Sequence, residues 1–492
     1  MSTDDRTNIR LVDQRSARLV DQRSATVSSE RLVARLGRWS HGDGTLSGRL
    51  ASALTTLVSS GELRPGDRLP AERALASAAS VSRGTVVSAY ADLTERGILE
   101  RRQGSGTRIA GSAGPVPQTA RHGRGEALFS ALPSAIDLLR GVPQVPDAAA
   151  EVIRAHAPSL DPAALTESDP AGLPELRARI AELLAKEGTA TTPEQILVTH
   201  GAQQALHLLV SEIVSPGDVV LAEEVTWPGM SDTVRRQGGV VYGIPLGPEG
   251  VDVAALEAAI VRMRPVLVAL NPHHHNPTGT RMPPKARQRV AELAAGYGVP
   301  VLEDRVLAPV SFDGVVPPTL AALRPDAPII VVESLSKWAW AGLRIGWMRA
   351  DPVLIRRLRG TRQLADQSTS VPAQLLALDL LDQTPLLRRQ VSATHARALE
   401  GLRLLLAEQL PEWRYTPPHG GLWLWAELPG GSADVFIRTA AVHGVAVAGS
   451  AEFAASVSPD DHIRIPFTAP EPVLGEGIRR LGEAWREYRE LL

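Results

Sequence analysis

The sequence predicts an α/β protein of two domains: a small helical head that ends in a two-stranded β-wing, and a large domain with a mainly parallel sheet. The chain has 492 residues, which is too long for one ordinary hydrophobic core. Within residues 45–110, helical hydrophobic periods lead into a glycine-containing hairpin pattern. Residues 135–492 instead alternate strand-like apolar runs with amphipathic helical stretches. Such alternation indicates parallel strands covered by helices on both faces.

Two further segments lie outside these domains. The octet RLVDQRSA occupies residues 10–17 and is repeated without change at 18–25. Two polar copies are too few for a repeat architecture, so residues 1–44 are predicted to form a flexible leader. Residues 111–134 are rich in Gly, Ala, Pro, Gln and Arg without a sustained period, which is typical of a linker.

Composition excludes several classes of protein. There is no cysteine, which excludes disulfides and thiolate metal sites. Apolar runs stay shorter than the 18 or more residues of a membrane span, and the first residues lack the features of a secretion signal. We therefore expect a cytoplasmic protein with no membrane partner. The net charge of -2 hides a slightly basic head, which only weakly supports a polyanionic partner.

The head follows the plan of a winged helix-turn-helix. The patterns predict a first helix with one apolar face, formed by Leu46, Leu50, Leu54, Leu57 and Val58. A turn-rich break at 61–70 and a short helix at 71–78 follow. The next helix, the second of the motif, is capped by Ser82 and carries Val86, Tyr90 and Leu93 on its inward face, and a two-stranded wing is predicted at 98–102 and 107–109. In this motif the N-terminal residues of the second helix face base edges in the major groove. Ser82, Arg83 and Thr85 hold those positions. Arg73 can reach a phosphate, and Gly104 lets the wing approach the DNA backbone.

From spacing alone, the head can also be a solvated helical hairpin whose arginines contact nothing. Its residues nevertheless resemble a known family. The segments GELRPGDRLPAERALA and VSRGTV, followed by an L-x-x-x-G-I-L and a G-S-G-T segment, are similar to the GntR-type DNA-binding domain. The resemblance implies a double-stranded DNA operator as partner, with Arg73, Arg83, Thr85 and Gly104 among the DNA contacts.

Lysine is rare in this chain, and one lysine stands in a functional context. Arginine supplies nearly all the basic residues, and the lysines are Lys186, Lys285 and Lys337. Arginine cannot lose its proton near neutral pH, so it cannot replace an amine nucleophile. Lys337 follows the apolar run 329–332 and stands among hydroxyls, a glycine and an arginine. This arrangement is expected of a lysine that forms a Schiff base with pyridoxal phosphate (PLP), although most lysines are solvated surface charges.

The other parts of a PLP site can be assigned along the chain. The predicted strands are 196–199, 218–222, 266–270, 299–303 and 329–332. Ligands in parallel sheets bind outside the carboxyl ends of the strands. Asp304 ends one such strand beside Lys337 and can keep the pyridine nitrogen protonated, although a strand-end Asp also caps turns. Trp227 can stack on the ring. Asn276 can donate to the phenolic oxygen, although Asn-Pro-Thr-Gly is also ordinary turn chemistry.

The cofactor's phosphate needs backbone donors at a helix N-terminus together with hydroxyls or arginine. The segment after the strand 196–199 opens a helix and fits that need. The candidates for phosphate contacts are Gly201, Ala202, Gln203, Ser334, Ser336 and Arg344.

Together these segments resemble the fold-type I, aspartate aminotransferase-like PLP superfamily from about residue 136 to 492. The segments DPAGLPELR at 169–177 and HIRI at 462–465 fit the resemblance as well. It implies the roles already given for Lys337, Asp304, Asn276 and Trp227. It also implies that Arg464 receives a substrate carboxylate. A GntR-type head on this body is the plan of the MocR-type regulators, and the chain is identified as a member.

Two departures from the superfamily concern activity. The tyrosine usually found two or three residues after the aspartate is replaced by Val306 and Leu307, and Glu167-Ser168 replaces an aromatic residue that often reaches a partner's phosphate. Each loss removes a charge-assisted hydrogen bond of about 1.5–3 kcal/mol. PLP binding is expected to survive, and transamination is expected to be weak at most.

Three consecutive histidines at 273–275 suggest a loop beside the cofactor rather than a metal site, because consecutive residues rarely share one face.

Three functions remain open from the sequence. The chain can be a transcriptional regulator whose PLP-binding domain senses an amino compound or PLP itself, an active aminotransferase with a vestigial head, or a regulator in which PLP is only structural. The intact SRGTV helix argues against the second, and Lys337 and Arg464 argue against the third. A homodimer is expected, because operators mirror protein symmetry and the superfamily builds its sites between subunits. The effector, the operator and the direction of regulation do not follow from the sequence.

Overall fold

The computed structural model gives the chain two compact units, 1–122 and 123–492. The described residues are 28–36, 39, 45–59, 63, 67–79, 81–95, 98–102, 106–109, 125, 128–129, 134–156, 169–456 and 460–490. Gly104, Glu167, Ser168, most of the predicted leader and most of the predicted linker lie outside them. No helix of the described part is long and apolar enough to cross a membrane.

The head has the predicted winged helix-turn-helix plan. It also has a helix at Ser29–Leu36, within the segment predicted as a flexible leader, because Leu32 and Leu36 are buried in the apolar core of the head. Its elements are α1 (Ser29–Leu36), α2 (Leu46–Ser59), α3 (Glu72–Ala78), α4 (Arg83–Glu95), β1 (Leu99–Arg102) and β2 (Gly106–Ile109). Leucines of α2 pack against Val86, Tyr90 and Leu93 of α4, all of which are buried. The helix α4 begins where predicted, because the Ser82 hydroxyl accepts a hydrogen bond from the backbone N–H of Thr85 at 3.0 Å. β1 and β2 pair antiparallel as the wing.

The large domain alternates strands and helices as predicted. Its strands are β3 (Ile136–Asp137), β4 (Ile196–Thr199), β5 (Val219–Glu223), β6 (Val240–Ile244), β7 (Leu246–Gly247), β8 (Gly250–Val251), β9 (Leu267–Leu270), β10 (Val301–Asp304), β11 (Ile329–Ser334), β12 (Gly346–Arg349), β13 (Arg414–Tyr415), β14 (Trp423–Glu427), β15 (Val445–Ala446), β16 (Ala448–Gly449) and β17 (His462–Pro466). Its helices are α5 (Asp147–Ala155), α6 (Pro174–Lys186), α7 (Ala202–Ile213), α8 (Pro228–Arg236), α9 (Val253–Met263), α10 (Pro284–Tyr297), α11 (Leu320–Leu323), α12 (Pro352–Ala365), α13 (Val371–Asp382), α14 (Thr384–Gln409), α15 (Ala433–Val442), α16 (Ser450–Phe453) and α17 (Glu471–Arg489).

Seven strands form the main sheet in the order β4-β12-β11-β10-β9-β5-β6. β12 runs antiparallel to its neighbours β11 and β4, and the other neighbouring strands pair parallel. One face is covered by α7 and α12, and the other by α9 and α10. Because both faces of the sheet are buried, its strands have continuous apolar sequences such as Ile329-Ile330-Val331-Val332. They do not alternate apolar with polar residues. The predicted fold class is confirmed.

The carboxyl ends of β4, β5, β9, β10 and β11 meet at one edge of this sheet. In the register of β10 and β11, Asp304 lies beside Val332, so the aspartate and the turn that carries Lys337 are neighbours. A second sheet, β13-β14-β17-β16, is antiparallel. It places Arg464 of β17 opposite Trp425 of β14. The two sheets together supply the residues of the site.

Candidate cofactor site and nucleic-acid interface

A cavity of about 1210 Å³ opens at the carboxyl edge of the main sheet. Its lining includes nine of the residues predicted for the cofactor: Ala202, Gln203, Trp227, Asn276, Asp304, Ser334, Ser336, Lys337 and Arg344. Gly201 directly precedes the helix that forms one wall. Arg464 lies behind the lining and contacts Asn276 and Trp423, which both border the cavity. The structure thus brings residues from distant parts of the sequence to one place.

Lys337 ends a short 3-10 turn that follows β11. Its amine donates a hydrogen bond to the backbone carbonyl of Gly141 at 2.7 Å and lies 5.5 Å from the ring centroid of Trp423. Burial, followed by repulsion from Arg464 and Arg344, lowers the pKa of Lys337 to about 8. An amine with that pKa is substantially unprotonated at slightly alkaline pH, as a nucleophile must be.

Asp304 is the last residue of β10. One of its oxygens accepts a hydrogen bond from the backbone N–H of Val306 at 2.9 Å. Within the described residues, no cationic side chain comes within 4.0 Å of this carboxylate. Burial raises the pKa of Asp304 to about 6, although attraction to Lys337 opposes the rise. A buried carboxylate of this kind gains from any cation that reaches it.

The wall opposite the aspartate is suited to an anion. Gly201 is the N-cap of α7 and has a φ of 81°, and the first N–H groups of a helix have no partner within the helix. A side chain at this glycine would meet the Arg344 guanidinium at 3.0 Å. Arg344 itself donates to the carbonyl of His200 at 3.0 Å. The hydroxyls of Ser334 and Ser336, 2.8 Å apart, complete a set of donors.

The indole of Trp227 is held in place by Gln203. Trp227 stands at the N-terminus of α8, and its Nε1 donates to Oε1 of Gln203 at 2.9 Å. The amide of Gln203 donates in turn to the carbonyl of Gly229 at 3.2 Å. A predicted phosphate contact therefore also fixes the predicted stacking residue.

Arg464 is buried, with 1% of its surface exposed, and lacks an ionic partner among the described residues. One terminal nitrogen donates to Oδ1 of Asn276 at 3.0 Å, and the other donates to the carbonyl of Leu139. Its guanidinium lies 4.9 Å from the ring centroid of Trp423 and 4.4 Å from that of Phe453. Burial lowers the pKa of Arg464 to about 9. A carboxylate at this point would compensate a buried charge.

The three consecutive histidines have different surroundings. His273 Nε2 lies 2.8 Å from Oε1 of Glu303, and His275 Nδ1 lies 2.8 Å from the hydroxyl of Thr278. Both ring nitrogens of His274 are buried and have no hydrogen-bond partner in the described structure. Burial lowers the pKa of all three rings. Groups of three potential ligands able to hold a metal ion are absent from the described residues.

Sequence reasoning missed Trp423 and Gly141. Trp423 contacts both Lys337 and Arg464, and a side chain at Gly141 would lie 2.6 Å from the Trp423 ring. A glycine is therefore required at position 141, because the Trp423 ring lies too close to leave room for a side chain. Its signal in the sequence is weak, because a single glycine before a Val-Pro pair is ordinary turn chemistry.

Asn271 was also missed. It borders the cavity, and its side-chain oxygen is buried without a hydrogen-bond partner in the described residues. Its backbone N–H donates to Glu223 at 2.6 Å, and burial raises the pKa of that glutamate to about 7. Val306 and Leu307 stand where the superfamily usually has a tyrosine, and they form an apolar part of the cavity wall.

In the head, the predicted DNA contacts lie at the surface. Ser82 and Arg83 are exposed at the start of α4, Thr85 is half-buried, and Arg73 is exposed on α3. The Arg83 side chain is 56% exposed and lies 3.5 Å from Glu72. Such a weak surface ion pair gives way readily to a base or phosphate. Gly104 is outside the described residues.

Two family models match the chain. Residues 136–481 match aminotransferase class I and II, and residues 46–109 match the bacterial regulatory proteins of the gntR family. A 2-aminoadipate transaminase of Thermus thermophilus is 34% identical over 328 residues, which cover 65% of this chain and 81% of that enzyme. The HTH-type transcriptional regulator TauR of Rhodobacter capsulatus is 27% identical over 488 residues, which cover 90% of this chain and 97% of TauR.

Solved structures agree with this fold. The α-aminoadipate aminotransferase LysN of Thermus thermophilus, complexed with N-(5'-phosphopyridoxyl)-L-leucine, superposes with a TM-score of 0.67 and 29% identity. The match covers 76% of this chain and 99% of LysN. The fold and the matches define an aminotransferase-like PLP domain joined to a winged-helix DNA-binding head. The chain belongs to the aminotransferase class I and II family and, with its GntR head, to the MocR-type regulators.

The residues present fit PLP. The cofactor carries a phosphate, a basic ring nitrogen and an aldehyde, and the cavity offers a helix N-terminus, a buried carboxylate and a buried amine in one space. Each of these groups is poorly compensated in the protein alone, and each has a complementary partner on the cofactor.

The lowered pKa of Lys337 predicts its reactivity. Labelling of the cofactor-free protein by an amine-specific reagent, with sites located by mass spectrometry, should modify Lys337 at a rate that rises with an apparent pKa of about 8, compared with 10.5 for an ordinary lysine. The exposed Lys186 and Lys285 serve as internal controls. A Lys337 profile that still rises steeply above pH 9, or one that matches the two controls, contradicts the prediction.

The surface position of Arg83 predicts a role in reading DNA. Arg83→Ala should weaken binding to a genomic fragment selected by the wild-type protein, because a bidentate base contact is worth about 1–3 kcal/mol per half-site. Arg73→Ala should instead weaken binding to all DNA sequences alike. It should also reduce the salt dependence of binding by the amount that corresponds to about one lost phosphate contact. Gel-shift titrations at several salt concentrations separate the two. Undiminished affinity of Arg83→Ala would remove Arg83 from the reading helix.

Proposed function

We propose that this MocR-type DNA-binding regulator senses an amino compound, or PLP itself, through its aminotransferase-like domain. The main support is the buried Arg464, which has no ionic partner among the described residues and contacts the wall that also carries Lys337. An amine and a carboxylate on one small molecule would satisfy both residues. The effector is therefore an amino acid or a similar carboxylated amine, with PLP as the alternative ligand.

The cofactor would be held by residues with separate tasks. Lys337 would attach it covalently, and Asp304 would hold the proton on its ring nitrogen. Trp227 would stack on the ring, and Asn276 would donate to the phenolic oxygen. The phosphate would be bound by Gly201, Ala202, Gln203, Ser334, Ser336 and Arg344. PLP, when bound, supplies an aldehyde that takes up amines and a ring that withdraws electrons.

Arg464 would orient the effector. Its guanidinium is fixed by Asn276 and by the carbonyl of Leu139, and two aromatic rings exclude water from it. An effector carboxylate would compensate a charge that costs free energy in the empty site. Asn276 would thus lie between the cofactor and the residue that receives the effector.

A second function remains a candidate, namely an active PLP-dependent aminotransferase with a vestigial head. The 34% identity to a transaminase and the retained Lys337 favour it. The apolar Val306 and Leu307 argue against rapid turnover, because they remove the hydroxyl that would share the phenolic oxygen with Asn276. Such a loss weakens control of the ring without preventing attachment.

We further propose that the chain acts as a homodimer on an operator with two half-sites. Relatives with this fold build sites between subunits, and operator symmetry mirrors protein symmetry. An effector would regulate DNA binding by favouring one of two conformations of the dimer, since a ligand shifts an equilibrium only through different affinities for its two states.

Asp304→Asn tests the role of the aspartate through two effects of opposite sign. The raised pKa means that the cofactor-free protein loses stability as pH rises from 3.8 through about 6, by about 2–3 kcal/mol in total. The variant should therefore be more stable than wild type at pH 7 without PLP, yet gain less stability from PLP and retain it less well. Thermal unfolding with and without PLP measures both effects. Equal stabilisation of both proteins by PLP would assign the ring nitrogen to another carboxylate.

Arg464→Ala distinguishes a sensor from an enzyme. In the wild-type protein, carboxylated amines should change the cofactor's absorption spectrum without sustained turnover. The variant should lose that response while keeping the spectrum of the resting cofactor and the affinity for DNA. Uncarboxylated amines of similar size serve as the control ligand class. Keto-acid production by the wild-type protein at about 1 per second or faster would support the aminotransferase instead.

A further inference from the structure

Part of the predicted linker is anchored on the large domain. The anchor consists of Gly125, Leu128 and Phe129, which are described residues inside the predicted linker 111–134. Leu128 is 1% exposed and packs in an apolar cluster with Val225 and Phe453, among others. Burying a leucine side chain stabilises a folded arrangement by about 1.5–3 kcal/mol, so burial of Leu128 favours this position of the segment on the large domain. We call these three residues the linker anchor.

Polar contacts also hold the linker anchor. The backbone N–H of Gly125 donates to a carboxylate oxygen of Asp232 on α8 at 2.8 Å, and the backbone N–H of Leu128 donates to the carbonyl of Gly125 at 3.2 Å. The guanidinium of Arg140 lies 5.8 Å from the ring centroid of Phe129. Arg140 directly precedes Gly141, whose carbonyl accepts the hydrogen bond from Lys337.

The linker anchor also borders the ligand cavity. Gly125 and Phe129 line the cavity that contains Lys337 and Asp304. Phe129 is 64% exposed, so its ring is accessible to a ligand in the cavity.

The cluster around Leu128 reaches both parts of the ligand site. Phe453, which packs against Leu128, lies 4.4 Å from the guanidinium of Arg464. Trp227, the predicted stacking residue, packs against the same cluster. A movement of Leu128 would therefore change the packing around Trp227, the predicted stacking residue, and around Arg464, the predicted receiver of a carboxylate.

We propose that the linker anchor is part of the effector site and that its docking is coupled to occupancy of the cavity. This inference rests on the proposed function. A ligand that contacts Phe129 binds the docked state more tightly, and docking must then strengthen ligand binding by the same factor. The recognised ligand presents an apolar group to Phe129 in addition to its amine and carboxylate.

Hydrogen exchange of the full-length protein tests the coupling. The probes are PLP alone and a stable phosphopyridoxyl conjugate of L-leucine, whose binding to the cofactor-free protein is measured separately by tryptophan fluorescence. Exchange in the peptide that contains Leu128 and Phe129 should slow several-fold with the conjugate. If the conjugate binds and exchange there is unchanged, the coupling is refuted while the proposed function stands. If neither probe binds, the proposed function fails as well.

Two variants release the linker anchor by different routes. Leu128→Asp places a charge in the apolar cluster, and Asp232→Ala removes the acceptor for Gly125. Both should raise the Kd of the conjugate about tenfold and abolish its effect on exchange. Asp232→Asn keeps an acceptor oxygen and should behave nearly as wild type. Leu404→Asp, at an exposed leucine of α14, controls for an added charge.

The outcomes separate coupling from misfolding. If Leu128→Asp fails to fold, Asp232→Ala and Asp232→Asn still provide a matched pair. Wild-type affinity for the conjugate in Asp232→Ala, with the anchor peptide exchanging freely, would overturn the proposal. Arg83→Ala should lose DNA binding but keep the exchange response, which would locate the response in the large domain.

Discussion

Three poorly compensated charged groups lie around one cavity, to which the main sheet and the second sheet both supply residues. Asp304 has no cation and Arg464 has no anion within ion-pair distance in the described structure, and the amine of Lys337 has a lowered pKa. Each charge costs free energy when buried alone. A ligand that carries the complementary charges recovers that cost on binding. The surrounding structure must therefore be stable enough to hold these charges in place while the site is empty.

The two sheets meet this requirement. The strands that end at the site are buried on both faces, so their carboxyl ends are fixed by the core and not by the polar groups they carry. Arg464 is held by the second sheet, and Trp423 of the same sheet lies against both Lys337 and Arg464. Rigid elements thus present charges that would not assemble on their own. The same arrangement explains why replacing one charge is expected to stabilise the empty protein while weakening the bound one.

The sequence predicts those parts of the site that depend on local chemistry. Lys337 and Asp304 stand out because each follows an apolar run, and the ends of parallel strands share an edge. The role of Arg464 follows only from the family resemblance. Trp423 and Gly141 could not be predicted, because their contact joins residues far apart in the sequence and depends on how the large domain packs. The docking of Leu128 was missed for the same reason, since a single leucine in a segment of linker composition carries no periodic signal.

The division between sensor and enzyme follows from how binding energy is used. An enzyme gains rate only from interactions that strengthen in the transition state. Val306 and Leu307 have no hydroxyl for such an interaction at the phenolic oxygen, whereas in the proposed sensor Arg464 and the cavity wall would act on the bound ligand as a whole. Binding energy that does not lower a reaction barrier remains available to favour one conformation over another. In the proposed sensor, the cavity wall includes Gly125 and Phe129 of the predicted linker, so that energy would be available to favour the docked state of this segment.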